Sequence, residues 1–139
     1  MADVSLPVVS GRPDLFAVAR WWGPVLVYMI LIFLMSANPV PEVLGGTPDY
    51  VLHVGGYFVL TLLAVRAFTK GLAHEPTNTS VFAAFVLTIL YGLSDEWHQG
   101  YVSGRDSSLV DLVANGVGAL LAVGTLSLFW KMRGAYQSE

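Results

Sequence analysis

Four long apolar runs, separated by short polar stretches rich in Pro and Gly, set the pattern of this chain: roughly Trp21 to Ala37, Val51 to Phe68, Thr79 to Ser94 and Leu109 to Trp130. Each approaches the ~17 to 25 residues that a helix needs to cross ~30 Å of hydrocarbon. None shows the sustained apolar/polar alternation of a membrane barrel strand. The pattern predicts an all-α polytopic membrane protein, a bundle of four transmembrane helices over residues 21–133, between short tails at 1–20 and 134–139.

The breaks between the runs carry their own signals. The first run places Pro24 in its opening turn, where a missing N–H is harmless, and stops at Ser36-Ala37-Asn38-Pro39. The stretch that follows holds Pro39, Pro41, Pro48 and Gly45-Gly46, so it forms a connection or a lid rather than a regular element. Thr47-Pro48-Asp49 reads as an N-cap, a first-turn proline and an acid favoured by the helix dipole. Thr77 to Ser80 can start the third helix, and Gly100 is a natural end for it. Ser108 to Asp111 fits the S-x-x-D capping pattern at the head of the fourth.

Charge adds sidedness. With the runs alternating across a membrane, Arg12, Arg20, Arg66, Lys70, Lys131 and Arg133 fall on one side and only Arg105 on the other. By the positive-inside rule both termini are cytoplasmic, and the loops at 38–50 and 95–108 face outward. Trp21, Trp22 and Trp130 fit an aromatic belt at the inner interface. The first 20 residues lack the basic start and apolar centre of a cleaved signal peptide. The chain has no cysteine, which excludes disulfides and thiolate metal sites. An outward surplus of acids this local attracts cations rather than nucleic acid.

That surplus is where the candidate chemistry lies. Asp95, Glu96, His98 and Gln99 end the third run, with Tyr91 and Gly92 on the same broad arc of a helix and Trp97 pointing the other way. Adjacent carboxylates at a helix C-terminus oppose the dipole and repel each other, so folding alone gives no reason for them. Arg105, a bound cation or a retained proton would favour them, and the short outer loop keeps Arg105 near. Its two readings are a neutralising salt bridge and a clamp on a carboxylate or phosphate. Asp49, His53 and Tyr57 share one face of the second helix, and Asp111 and Asn115 one face of the fourth, above a stripe of Gly118, Ala119 and Ala122. Asp49 and Asp111 have capping explanations; His53 reads equally as a packing residue or a site residue, and Asn115 reads first as helix glue and next as a site residue. Three polar helix faces at one depth mark a site, because ionisable groups at membrane depth are costly and usually functional.

Asp49 with His53, the Asp95-Glu96-Trp97-His98-Gln99 run, Gly104-Arg105, and Asp111 with Asn115-Gly116 resemble the VanZ-like family of small bacterial membrane proteins. That family is named for a protein giving low-level resistance to the glycopeptide teicoplanin. The resemblance implies a role at the cell envelope with outward exposure of the working residues, and leaves the mechanism open.

Two kinds of function suit these residues. One is an intramembrane enzyme acting on a lipid-linked or peptide envelope component, with Asp95 or Glu96 as general acid/base, His53 or His98 assisting, Arg105 holding an anionic group, and Gln99 and Asn115 orienting the substrate. Asp49, Tyr57 and Asp111 would complete its binding surface. The other is a non-catalytic binder of a lipoglycopeptide or a peptidoglycan-precursor lipid. A transporter is disfavoured by the absence of a repeat or a broken span, and a structural subunit would place the carboxylates at an assembly interface, the oligomeric state being open. His53, His98, Asp95 and Glu96 are also suitable ligands for a divalent cation, although there is no HExxH motif.

Overall fold

The computed structural model describes residues 15–38 and 46–136. Among them are four α-helices and no strand: α1 Leu15–Ser36, α2 Asp49–Phe68, α3 Asn78–Gln99 and α4 Leu109–Tyr136. Each is long and apolar enough to cross a membrane. The expected stretch 39–45 of the outer connection, residues 1–14 and residues 137–139 lie outside the described residues.

Helices outrun the apolar runs that announced them. α1 starts at Leu15, so Pro24 sits inside the helix rather than in its first turn. It leaves the Arg20 carbonyl without its usual N–H partner. The reason is local: Leu15 to Ala19 are helix-compatible, and one Arg does not end a helix. Likewise α4 runs past Trp130 through Lys131 to Tyr136. Thr77 caps α3, its Oγ1 accepting from the Ser80 N–H at 3.2 Å. Thr47, by contrast, does not cap α2; Pro48 holds that position and provides no side-chain hydrogen bond.

α2 is the central helix. It packs on α4, α3 and α1, whereas α1 touches α3 only slightly. The α2–α4 seam is closed by small residues: Ala119 and Ala122 are fully buried, and a Cβ at Gly118 would overlap the Val54 carbonyl and lie 3.0 Å from the Phe58 nitrogen. Such stripes let helix backbones meet where lipid offers no hydrophobic drive for association. Between α2 and α3 the Thr61 hydroxyl donates to Tyr57 O at 2.7 Å and meets Thr88 Oγ1 at 3.2 Å. α1 buries only Val25 and Ser36, and its Leu26, Val27, Ile30 and Leu34 stay exposed.

The two ends of the bundle differ in charge. At one end Arg20 and Arg66 both stack on the Trp21 ring, 5.0 and 4.9 Å from its centroid, and Arg133 lies on Trp130. At the other end the helix termini bring together Asp49, Asp95, Glu96 and Asp111, with Arg105 as the cation.

Candidate functional site

The last turn of α3 supplies three inward side chains. Asp95, Glu96 and Gln99 are buried, at 3%, 5% and 1% exposure. Trp97 points outward, 70% exposed, with its ring edge-on to Tyr101. The helical period therefore separates polar interior from lipid-facing aromatic as expected.

Although adjacent, the two carboxylates serve different neighbours. Asp95 Oδ2 accepts from the Tyr57 hydroxyl at 3.0 Å and from Gln99 Nε2 at 3.3 Å, while Oδ1 is buried without a partner among the described residues. Gln99 Nε2 also reaches Ser36 Oγ at 3.3 Å, which ties the cluster to α1. Glu96 turns toward α4, its Oε2 accepting from the Ser108 N–H at 3.0 Å and its Oε1 standing 3.6 Å from His53 Nδ1. The reciprocal half of the capping box at α4 thus comes from Glu96, not Asp111. The other half is as expected: Ser108 Oγ accepts from the N–H groups of Val110 and Asp111 at 3.1 and 3.4 Å.

His53, one turn down α2 from Asp49, is 8% exposed. Its Nδ1 lies 2.9 Å from Asn115 Oδ1. Both oxygens near Nδ1 are acceptors, so Nδ1 carries a hydrogen. The ring stacks nearly parallel to Tyr57, at 11° and 6.1 Å. Gly92 is required here, because a Cβ would come within 3.0 Å of Asn115 Nδ2 and 3.1 Å of the Tyr57 ring.

Arg105 departs from the sequence expectation. It does not neutralise Asp95 or Glu96. Its Nη1 donates to Asp49 Oδ2 at 2.8 Å, its Nη2 to Met35 O at 3.2 Å and its Nε to Asn38 O at 3.1 Å. The shape of the guanidinium fork suits this set of partners, one carboxylate and two backbone carbonyls at and just beyond the end of α1.

His98 is set apart as well. Its ring lies against Phe33 of α1, 4.4 Å between centroids, and its buried Nδ1 has no partner among the described residues. The structure brings together Asp49, His53, Tyr57, Asp95, Glu96, Gln99, Asp111, Asn115 and Arg105, and leaves His98 outside. Ser36 joins the site without having been assigned to it; its signal was a lone polar residue at the outer end of an apolar run.

Beside this cluster a cleft of about 420 Å³ lies between α1 and α2. Its apolar wall includes Leu31, Ile32 and Met35 of α1 and Val51 and Leu52 of α2. Its polar wall is Asp49, His53, Asp95, Gln99 and Arg105. Glu96, Asp111 and Asn115 stand behind that wall, on the α4 side. A cleft with apolar sides and a few convergent polar groups is the usual form of a small-molecule site.

No family model, no curated protein and no solved structure matches this chain.

Proposed function

We propose that this chain is an integral membrane protein of the bacterial cell envelope, of the VanZ-like kind, whose α1–α2 cleft takes the polar end of a lipid-linked or peptide envelope component and transfers a proton to or from it. One observation carries this reading. The cleft pairs lipid-like walls with Asp95 and Gln99, whose oxygens Oδ1 and Oε1 are buried and have no partner within the described residues. Buried unpaired acceptors are costly in a folded protein and are satisfied when a ligand supplies donors.

Asp95 is the proton-transfer group in this reading, because it lines the cleft with one oxygen free while Tyr57 and Gln99 fix the other. Arg105, Asp49 and His53 line the same cleft. Glu96 is a positioning residue, acting on His53 and on the head of α4. The gathering of Arg20, Arg66 and Arg133 at the opposite end supports a cytoplasmic location for that end and an outward-facing cleft.

The test is teicoplanin susceptibility of cells producing the parent or Asp95→Asn, at equal membrane levels. The near-isosteric variant keeps an acceptor for Tyr57 and removes the proton-transferring carboxyl. Loss of protection supports the acid/base reading; full protection by Asp95→Asn rules it out. The apolar wall also favours a second reading, capture of a lipoglycopeptide or precursor lipid without turnover. That protein would keep protecting in Asp95→Asn and lose protection when the cleft is filled. Sidedness has its own test, since the chain has no cysteine. A single cysteine at Ser103 should react with a membrane-impermeant maleimide in whole cells, and one at Thr69 should not.

A further inference from the structure

We propose that Asp49, His53 and Asp111 hold a divalent first-row metal ion, with Asn115 and Glu96 fixing the histidine for it. One imidazole nitrogen and one oxygen from each carboxylate lie within 4.8 Å of one another. Donors sharing an ion at ~2.1 Å each stand at most about 4.2 Å apart, so small side-chain rotations bring these three onto one centre.

Proximity of acids would not suffice by itself, and two further features point to a cation. The first is Asp111. The residue is 7% exposed, and no hydrogen bond or ion pair reaches its carboxylate among the described residues. The capping role that its sequence position suggests is filled by Glu96, which takes the Ser108 N–H. A carboxylate that is buried, released from capping and turned toward Asp49 and His53 needs a positive partner. Arg105 is not that partner, for its three donor contacts go to Asp49, Met35 and Asn38.

The second feature is the histidine. Nδ1–H is held by Asn115 Oδ1 at 2.9 Å with Glu96 Oε1 behind it at 3.6 Å, which locks the tautomer and ring orientation. Metal-binding histidines are commonly fixed in this way by an acceptor on the other nitrogen, and the acceptor raises the basicity of the free one. Asn115 itself is fully buried, and its Nδ2 has no partner among the described residues.

The donor set defines the ion. One imidazole and two carboxylates, in a chain without thiolates, suit zinc(II) or manganese(II) and disfavour copper(I). A divalent charge also offsets the excess left by Asp49, Asp95, Glu96 and Asp111 against Arg105 alone. Three protein ligands leave a coordination position open, and Asp49 and His53 line the cleft, so the open position faces whatever occupies it. The site stands whether or not the cleft is catalytic.

Zinc and cobalt alone are the probes. The full chain, purified in detergent after chelation and dialysis, is titrated with zinc by calorimetry and with cobalt(II) by visible absorption. The expected result is about one equivalent bound, a cobalt d–d spectrum, and a Tm that rises on zinc addition. Asp111→Asn and His53→Gln should each lower zinc affinity at least ~10-fold, as should Asn115→Ala through its hold on the ring. Asp106→Asn, in the exposed loop, should leave it unchanged. No stoichiometric zinc or cobalt uptake by the parent, with no change in Tm, overturns the proposal even if a variant fails to fold. So does full affinity retained by both Asp111→Asn and His53→Gln. These readouts need no substrate, so a failed metal titration leaves the Asp95→Asn result to judge the cleft by itself.

Discussion

The two sides of α2 are built on opposite plans. Toward α4 the backbones meet: Gly118 lies under the Val54 carbonyl with no room for a methyl group, and Ala119 and Ala122 are sealed beside it. Toward α1 the same helix presents Gly55 and Gly56, where a Cβ would meet nothing within 4 Å, and a cleft of about 420 Å³. Glycine thus removes volume on both sides, to close a seam in one case and to leave space in the other. The difference separates a close-packed seam, α2 with α4, from a wall, α1, which meets α2 through Trp21, Trp22 and Val25 around Tyr57, Leu60 and Ala67 and leaves the cleft open beyond them. Nearly all the polar side chains of the site come from α2, α3 and α4, and α1 adds Ser36 and the carbonyls that Arg105 holds. Positioning is best done by rigid elements, and access by a wall that leaves space.

The strongest way to break this contrast is Gly118→Ala. On the closed side the added methyl cannot be absorbed by a flexible side chain, because its neighbours are backbone atoms of α2. Overpacking of this kind costs ~1–3 kcal/mol and sometimes more, and should outweigh the roughly 1 kcal/mol that Gly→Ala gains in helix propensity. Thermal unfolding in detergent should show a larger drop in Tm than any substitution below, together with loss of the site. A Tm equal to the parent's would mean that the seam is not fixed.

Asn115→Ala should come next. It leaves His53 Nδ1–H without its 2.9 Å acceptor in a buried setting, at a cost of about 1–2 kcal/mol, with Glu96 Oε1 at 3.6 Å limiting the loss. The same Tm measurement checks it. An unchanged Tm would show that Glu96 alone suffices to hold the ring.

The same contrast marks how far the sequence could be read. The four helices and their polar ends were legible, because apolar run length and the 3.6-residue period depend only on local order. Trp97 outward with Asp95 and Gln99 inward follows from that period alone. Helix ends were less so: α1 begins six positions before Trp21, at Leu15, since charged and polar neighbours in the interface do not stop a helix. The partners of Arg105 were not legible. They depend on where the end of α1 lies against the start of α2, which no spacing in the chain records. His98 shares an arc with Asp95 on paper, yet the packing of α1 gives it Phe33 instead. The cleft itself follows from α1 standing apart, a property of the assembled helices rather than of any one run.

Arg105→Ala sharpens the contrast with a smaller effect on stability. The guanidinium ties α1 to α2, but Asp49 is 37% exposed at its side chain, so the ion pair is screened and is worth ~1 kcal/mol at most. The two carbonyl contacts at Met35 and Asn38 add to the tether. The expected result is a small fall in Tm with a selective gain in hydrogen exchange at the outer end of α1, α2 and α4 staying protected. Equal loss of protection in α4 would show that α1 is part of the close-packed unit after all.

The smallest effect on stability, and the sharpest on the cleft, should come from Gly56→Leu. Nothing lies within 4 Å of the position its Cβ would take, so no clash is created. Replacing a mid-helix glycine gains roughly 0.5–1 kcal/mol in helix propensity. A Tm equal to or slightly above the parent's is therefore expected, the opposite sign to Gly118→Ala on the other side of the same helix. Gly56 lines the cleft together with Leu31, Ile32 and Leu52, so the added isobutyl group takes up cleft volume. On the proposed function, protection against teicoplanin should fall, while the proposed zinc binding at Asp49, His53 and Asp111 stays unchanged, because those donors lie at the outer ends of α2 and α4. Protection retained at the parent's level would place the ligand outside the cleft, and a lowered Tm would mean that the space beside Gly56 is already required for packing.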